Sequence, residues 1–194
     1  MGPATCLPPA DAVALRVLRY RIDARDVIVE VGAGFEEFAA QNGAPGLAGR
    51  VLGTPLWAHL HGEGVTHLYR DLVARCRATR GTAEFPFRCD SPTHRRFLRM
   101  RMTGLPDGSV AFESATLREE ARTRVAMPST ASAPEEAMLV VCAWCRNVEM
   151  DAGEWVELEE AVRRREIFSR PVPPRISHGI CPPCYRAVRA GAGL

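Results

Sequence analysis

The chain contains no lysine: all 25 of its basic residues are arginine. That excludes Schiff-base chemistry and the lysine of a phosphate-binding loop, and it fits biased codon usage better than a binding role. Net charge is also nearly absent. Against 23 acidic residues the sum is only +2, so no global field draws the molecule toward nucleic acid or an anionic membrane. No apolar run approaches the ~18 residues that a membrane span needs. Met1 to Pro9 has neither a basic start nor an apolar stretch, so no secretory signal is expected there. A cytoplasmic location with reduced thiols is the expectation. No Ser–His–Asp or paired-carboxylate pattern stands out, so nothing indicates hydrolysis, and the chain reads as non-catalytic.

What is present is cysteine in an ordered pattern. The chain has 194 residues, 46% hydrophobic and 25% charged, enough for one ordinary domain and a smaller one. Of its seven cysteines, four form two Cys-x-x-Cys pairs in the last third: Cys142-Ala-Trp-Cys145 and Cys181-Pro-Pro-Cys184. A two-residue spacer lets both thiolates of a pair turn toward one ion, and two pairs supply four sulfurs. That is a closed tetrahedral shell for structural Zn²⁺, with no open position for water. The pairs stand farther apart than the roughly 15–20 residues of the common four-cysteine pattern, so a folded segment is expected between them. His178 stands three residues before Cys181. It is a candidate substitute ligand, although a histidine beyond the ligand shell or at the surface is the simpler reading. A thiol-redox protein using Cys142 and Cys145 is a further alternative, but two full pairs suit metal better.

Periodicity gives the rest. Residues 17–22 alternate, with Leu18, Tyr20 and Ile22 opposite Val17, Arg19 and Arg21, and Val27, Val29 and Val31 alternate after a turn at 23–26: a hairpin. Phe35 to Gln41 reads as a short helix with Phe35, Phe38 and Ala39 on one face. Gly43 to Gly53 reads as loop, and residues 55–60 as a helical turn. Val65, Leu68, Tyr69, Leu72, Val73 and Cys76 form the apolar stripe of a longer helix. Three strands follow: residues 82–88, with Pro86 marking an edge or a bulge; the stretch around Leu98, Met100 and Met102; and one beginning at Val110 and Phe112. Arg118 to Val125 reads as a short exit helix and Met127 to Pro134 as a linker. A strand over Leu139 to Ala143 and a helix over Glu154 to Phe168 complete the tail. The fold class is α+β, with a first domain over 12–118, a helix and linker over 119–137, and a zinc unit over 138–190. The tail is expected to unfold alone when Cys142→Ser or Cys184→Ser removes the metal.

Tyr20-Arg-Ile-Asp23, Val27 to Val31, Phe35-Glu-Glu-Phe38-Ala39, Asn42-Gly43, Gly53-Thr-Pro-Leu-Trp57, Leu68-Tyr69-Arg70 and Pro86 to Pro92, in their strand–helix–strand order, resemble a bacterial PAS-like domain. The Cys-x-x-Cys with Ser177-His-Gly-Ile-Cys-Pro-x-Cys184 resembles a tail found on some bacterial PAS-containing signalling proteins. The resemblance implies a five-stranded antiparallel sheet with helices on one face and a small zinc-ribbon-like tail. It also implies a ligand pocket between sheet and helices, and a role in sensing or protein association. Because no kinase, cyclase or receiver signature is attached, output would pass through a protein partner, with a homodimer as a further expectation.

The candidate pocket residues are Phe35, Phe38, Trp57, Leu68, Phe87, Leu98, Met100 and Phe112, which better suit a tightly packed, empty core. Haem would require an axial histidine, and His59, His61, His67 and His94 are poorly placed for that. Val29-Glu-Val-Gly32-Ala-Gly34 imitates a dinucleotide or S-adenosylmethionine site, but Glu36 and Glu37 occupy the positions where the next glycine belongs. Around Cys89, neighbouring arginines would lower a thiol pKa; Asp90 and Ser91 suit a local turn, with Arg95 or Arg96 as ion-pair partners for Asp90. Arg163-Arg-Arg165 is the one basic cluster and raises a nucleic-acid-binding alternative. Pairs Glu159–Arg163 and Glu160–Arg164 would offset it, so nucleic acid is disfavoured, and no membrane partner is expected.

Overall fold

The computed structural model describes residues 16–91, 93–122, 138–165 and 175–194. The expected linker at 127–134, the N-terminal stretch and Phe168 lie outside the described residues. Strand β1 (Arg16–Ile22) buries Leu18 and Ile22 and turns Arg19 to solvent, as its alternation requires. The Asp23 carboxylate accepts the backbone N–H groups of Arg25 and Val27, both at 2.9 Å, and closes the turn into β2 (Ile28–Val31).

The valine alternation expected in β2 is corrected by a bulge. Ile22 faces Ile28 and Arg21 faces Glu30, so one extra residue, Val29, is inserted. Ile28 and Val31 therefore both meet the core, while Val29 is left 42% exposed. Strands β3 (Thr82–Arg88), β4 (His94–Gly104) and β5 (Val110–Ala121) complete a sheet of order β2-β1-β5-β4-β3, antiparallel throughout. Pro86 lies on the edge strand β3, where its missing N–H costs no ladder bond. The helix expected from Arg118 is not formed: residues 118–121 continue β5, paired with residues 94–97 of β4.

Helix α1 (Phe35–Gln41) is as the periodicity predicts. The stretch expected as loop contains a short second helix, α2 (Leu47–Val51), whose N-terminal amides at Gly46 and Ala48 donate to the Glu36 carboxylate on α1. That cap comes from ten residues upstream, which no local pattern reveals. A 3-10 turn (Leu56–His59) leads to α3 (Glu63–Thr79), whose stripe of Val65, Leu68, Leu72, Val73 and Cys76 is buried on the inner face of the sheet. Five antiparallel strands with helices over one face are what the PAS resemblance implies.

The tail builds its own sheet. β6 (Met138–Cys142), β7 (Val148–Glu149), β8 (Trp155–Val156) and β9 (Arg175–Gly179) pair in the order β8-β7-β6-β9, with β6 and β9 parallel. The helix expected from Glu154 begins later, as α4 (Leu158–Arg165), because Trp155 and Val156 pair with β7. Leu139, Val141, Val148, Leu158 and Ala161 form a small core. Helix α5 (Pro182–Ala192) ends the chain.

The two sheets are joined by packing. Cys142, Trp144, Cys181, Val188 and Ala192 of the tail belong to the same buried cluster as Leu68, Leu72, Phe85, Met102 and Phe112. A Cβ on Gly62 would lie 1.9 Å from the His178 carbonyl oxygen, so the start of α3 and β9 touch backbone to backbone. This shared core is physically opposed to a tail that unfolds alone, because removing the tail would return apolar surface of the first sheet and α3 to water.

Candidate metal centre

Two tight turns carry the four cysteines to one point. After β6, the Arg146 N–H donates to the Cys142 carbonyl at 3.0 Å and Arg146 takes φ 66°, folding Cys145 back beside Cys142. After β9, Cys181 is the N-cap of α5 and prolines fill the first turn, where a missing N–H is harmless. Cys184 sits in that turn. The parallel pairing of β6 with β9 sets the two turns side by side, and the Ala143 N–H donates to the Gly179 carbonyl at 2.9 Å.

The four Sγ atoms all lie within 4.8 Å of one another. Cys145 Sγ and Cys181 Sγ are 3.7 Å apart. That is far beyond a disulfide bond of about 2.05 Å. It matches the sulfur–sulfur edge of about 3.8 Å that a tetrahedron with metal–sulfur bonds of about 2.3 Å requires. Cys142 and Cys181 are buried, and Cys145 and Cys184 half-buried. The Cys181 backbone N–H donates to Cys142 Sγ at 3.4 Å, a bond that favours thiolate. The four cysteines can therefore hold a metal ion.

The electrostatics divide the four thiols: Cys142 and Cys181 are held down by their sulfur neighbours, and Cys145 and Cys184 are pushed up. Hydrogen bonds from Cys145, then Cys181 and Cys184, hold the Cys142 thiol well below its ordinary range. Cys145, bonded to Cys142 and Cys181, is pushed up in turn as a proton-retaining partner. The N-terminus of α5 adds positive potential beside Cys181 and Cys184. His178 does not belong to the group of mutually close donors. It lies on β9 opposite Val141, half-buried, with burial and the charges of Arg146 and His61 lowering its pKa.

Two features join this centre to the first domain. Trp144, between the first two cysteines, is only 3% exposed. Its ring lies 5.9 Å from Tyr69 and 5.8 Å from Phe85, and its carbonyl accepts the N–H of Arg88 on edge strand β3 at 2.6 Å. Its indole N–H has no partner among the described residues. The second feature is ionic. Asp90 pairs with Arg88 at 2.6 Å and Arg122 at 3.4 Å, Arg88 reaches Glu157 at 3.1 Å, and Glu159 binds Arg95 at 2.8 Å and Arg122 at 3.4 Å. Three arginines and three carboxylates balance, with Asp90 and Arg122 side chains only 3% and 7% exposed.

Sequence reasoning located the cysteines but missed these partners. A tryptophan between two ligands was the one local signal; the ion pairs span dozens of residues and left none. Asp90 pairs with Arg88 and Arg122 rather than with Arg95 or the Arg96 side chain, although it accepts the Arg96 backbone N–H at 3.3 Å. Glu159 turns to Arg95 and Arg122 instead of Arg163, while Glu160 takes both Arg163 and Arg164. The Cys89 thiol is raised, not lowered: burial outweighs the arginines Arg146 and Arg96.

The pocket candidates divide. Leu68, Met100 and Phe112 lie in the main core, with Trp57 and Phe87 packed against it, and Leu98 is buried on β4. Phe35 and Phe38 are half-buried on α1. Trp57 donates its indole N–H to Asp26 at 2.8 Å and stacks under Arg70 at 4.4 Å, which anchors its turn. Of the histidines weighed for haem, His59 contacts Thr54, His67 contacts Asp71 and His94 contacts Thr93. Gly34 takes φ 83° at the start of α1 and makes the strand-to-helix turn.

No protein-family model matches this chain, and no curated protein matches it. Among solved structures it is similar to the crystal structure of the photoactive yellow protein domain from the sensor histidine kinase Ppr of Rhodospirillum centenum. The identity is 19% and the TM-score 0.36, over 52% of this chain and 91% of that one. A likeness this loose bears on nothing in the present chain's chemistry. The PAS-like assignment of the fold rests on the strand order and the helical layer. Among the described residues no helix is long and apolar enough to cross a membrane.

Proposed function

We propose that this chain is a non-catalytic signalling protein of the bacterial cytoplasm. Its PAS-like domain senses a small ligand or binds a protein partner that carries the output, and its tail is held by a structural Zn²⁺ on Cys142, Cys145, Cys181 and Cys184. The observation that carries the reading is the four-sulfur cluster with tetrahedral spacing. Four thiolates with no oxygen or nitrogen donor suit zinc, with iron the competing ion for such a shell. They leave no position for a reacting water, so the ion's role is to fix the two turns. Those turns fix Trp144 against Tyr69 and Phe85, so the metal organises the same core that would hold a ligand. Its candidate lining is Leu68, Leu98, Met100, Phe112 and Phe87, with Trp57, Phe35 and Phe38 toward the rim.

A nucleic-acid role draws no support from the basic cluster, since Arg163 and Arg164 are tied to Glu160 and Arg164 also to Glu154 at 2.9 Å. The test is elemental analysis of protein purified without chelator, together with its absorbance spectrum. One zinc per chain and no visible band is the expected result. Metal-free thiols in that sample would refute the structural-zinc reading, and a Soret or flavin band would place the sensing chemistry in a bound cofactor.

A further inference from the structure

Cys145 and Cys184 are half-buried where Cys142 and Cys181 are 0% and 3% exposed, so a small oxidant approaching from solvent meets one of the first two before the others. Of these two, Cys145 has a sulfur of the other knuckle close by, Cys181 Sγ at 3.7 Å, and is the one taken as the reacting thiol. Trp144 precedes Cys145 directly, its carbonyl accepts the Arg88 N–H of edge strand β3, and its ring packs on Tyr69 of α3 and Phe85 of β3. Displacing Cys145 therefore displaces one of the residues that hold the tail to the first domain, the one packed on Tyr69 and Phe85.

We infer that the cysteine centre is a peroxide-sensitive latch: Cys145 is the oxidised thiolate, Cys181 resolves it, and their disulfide frees Trp144 from Tyr69, Phe85 and the β3 edge. The inference rests on the metal reading above. The chemistry balances with hydrogen peroxide as oxidant. The Cys145 sulfur, a thiolate when it ligates the ion, attacks one peroxide oxygen, the O–O bond breaks, and a sulfenic acid and hydroxide result. The Cys181 thiolate then attacks the Cys145 sulfur, an S–S bond forms, and a second hydroxide leaves. Two electrons pass from the two sulfurs to peroxide. Forming a bond of about 2.05 Å from a 3.7 Å separation needs a local collapse of the two turns. Cys142 and Cys184 alone cannot complete a four-sulfur shell, so the ion is lost to solvent.

The test uses the full chain, purified anaerobically with its zinc content measured first. Excess hydrogen peroxide is then added. Zinc release is followed with a chromogenic chelator, disulfides by peptide mapping, and exchange of the β3 amides by mass spectrometry. The expected result is one zinc released per chain, a mass loss of two hydrogens, a Cys145–Cys181 peptide, and lost protection in the peptide containing Arg88. Thiol reductant plus zinc should restore protection. Chelation under reducing conditions should open β3 in the same way without any disulfide. Zinc retained through oxidation, a disulfide confined to one knuckle, or β3 protection unchanged after zinc loss would each overturn the latch while leaving structural zinc intact. A chain that holds no zinc from the outset would overturn the metal reading itself, and the latch with it.

Discussion

Replacing Trp144 by alanine asks whether the tail and the first domain are one folding unit. The side chain is 3% exposed and lies between Tyr69 of α3 and Phe85 of β3. Truncating a buried aromatic of this kind costs about 3–5 kcal/mol. Domains of ordinary stability have roughly 5–15 kcal/mol in total, so the loss takes about a fifth of the margin at the least and nearly all of it at the most. For a chain of this size each kcal/mol moves the melting temperature by about 2–4 °C, which gives a fall of roughly 6–20 °C. Trp144→Phe is the control. It keeps a ring in the cluster and removes an indole N–H that has no partner among the described residues, so its cost is only about 1–2 kcal/mol. The assay is a thermal melt read by far-UV circular dichroism and by metal release in the same sample. A shared core requires the two signals to coincide in both proteins and to shift together in Trp144→Ala. Two separate transitions, the upper one at the wild-type temperature, would refute the argument and restore a tail that melts alone.

Other outcomes follow from contacts between the two units and within them. Asp90→Asn leaves Arg88 and Arg122 short of a buried counter-charge and should cost about 3–5 kcal/mol in urea unfolding; combined with Glu159→Gln the losses should be non-additive, since both acids bind Arg122. Burial alone would raise the Glu159 carboxyl, but hydrogen bonding to Arg95 overrides it and the pKa is lowered. Its contribution to stability is therefore present above the unfolded value of about 4.3 and lost as pH falls through the lower folded value. Urea midpoints measured between neutral and acid pH should fall less steeply in Glu159→Gln. Gly62→Ala combines φ 91° with a Cβ placed 1.9 Å from the His178 carbonyl. It should cost at least about 1–3 kcal/mol and loosen β9, read as faster amide exchange in residues 175–179.

Much of this protein is legible in its residues because the signals are local. Alternation set β1, and the three- and four-residue steps of Val65, Leu68, Leu72 and Cys76 set α3, because a repeating pattern needs only one buried face to be satisfied. The spacing of Cys142, Cys145, Cys181 and Cys184 defined a four-sulfur site for the same reason, since ligand geometry within each pair is fixed by two intervening residues. What required the tertiary structure is everything that depends on a distant partner. The bulge at Val29 turns that residue out and brings Ile28 inward beside Val31. Residues 118–121 are strand because β4 offers them a ladder, and α2 exists because Glu36 reaches its N-terminus. Whether the tail is an appendage or part of the core turns on Trp144, Val188 and Ala192 filling space beside α3 and β3. Burial is a property of two surfaces meeting, and a single stretch of sequence carries only one of them.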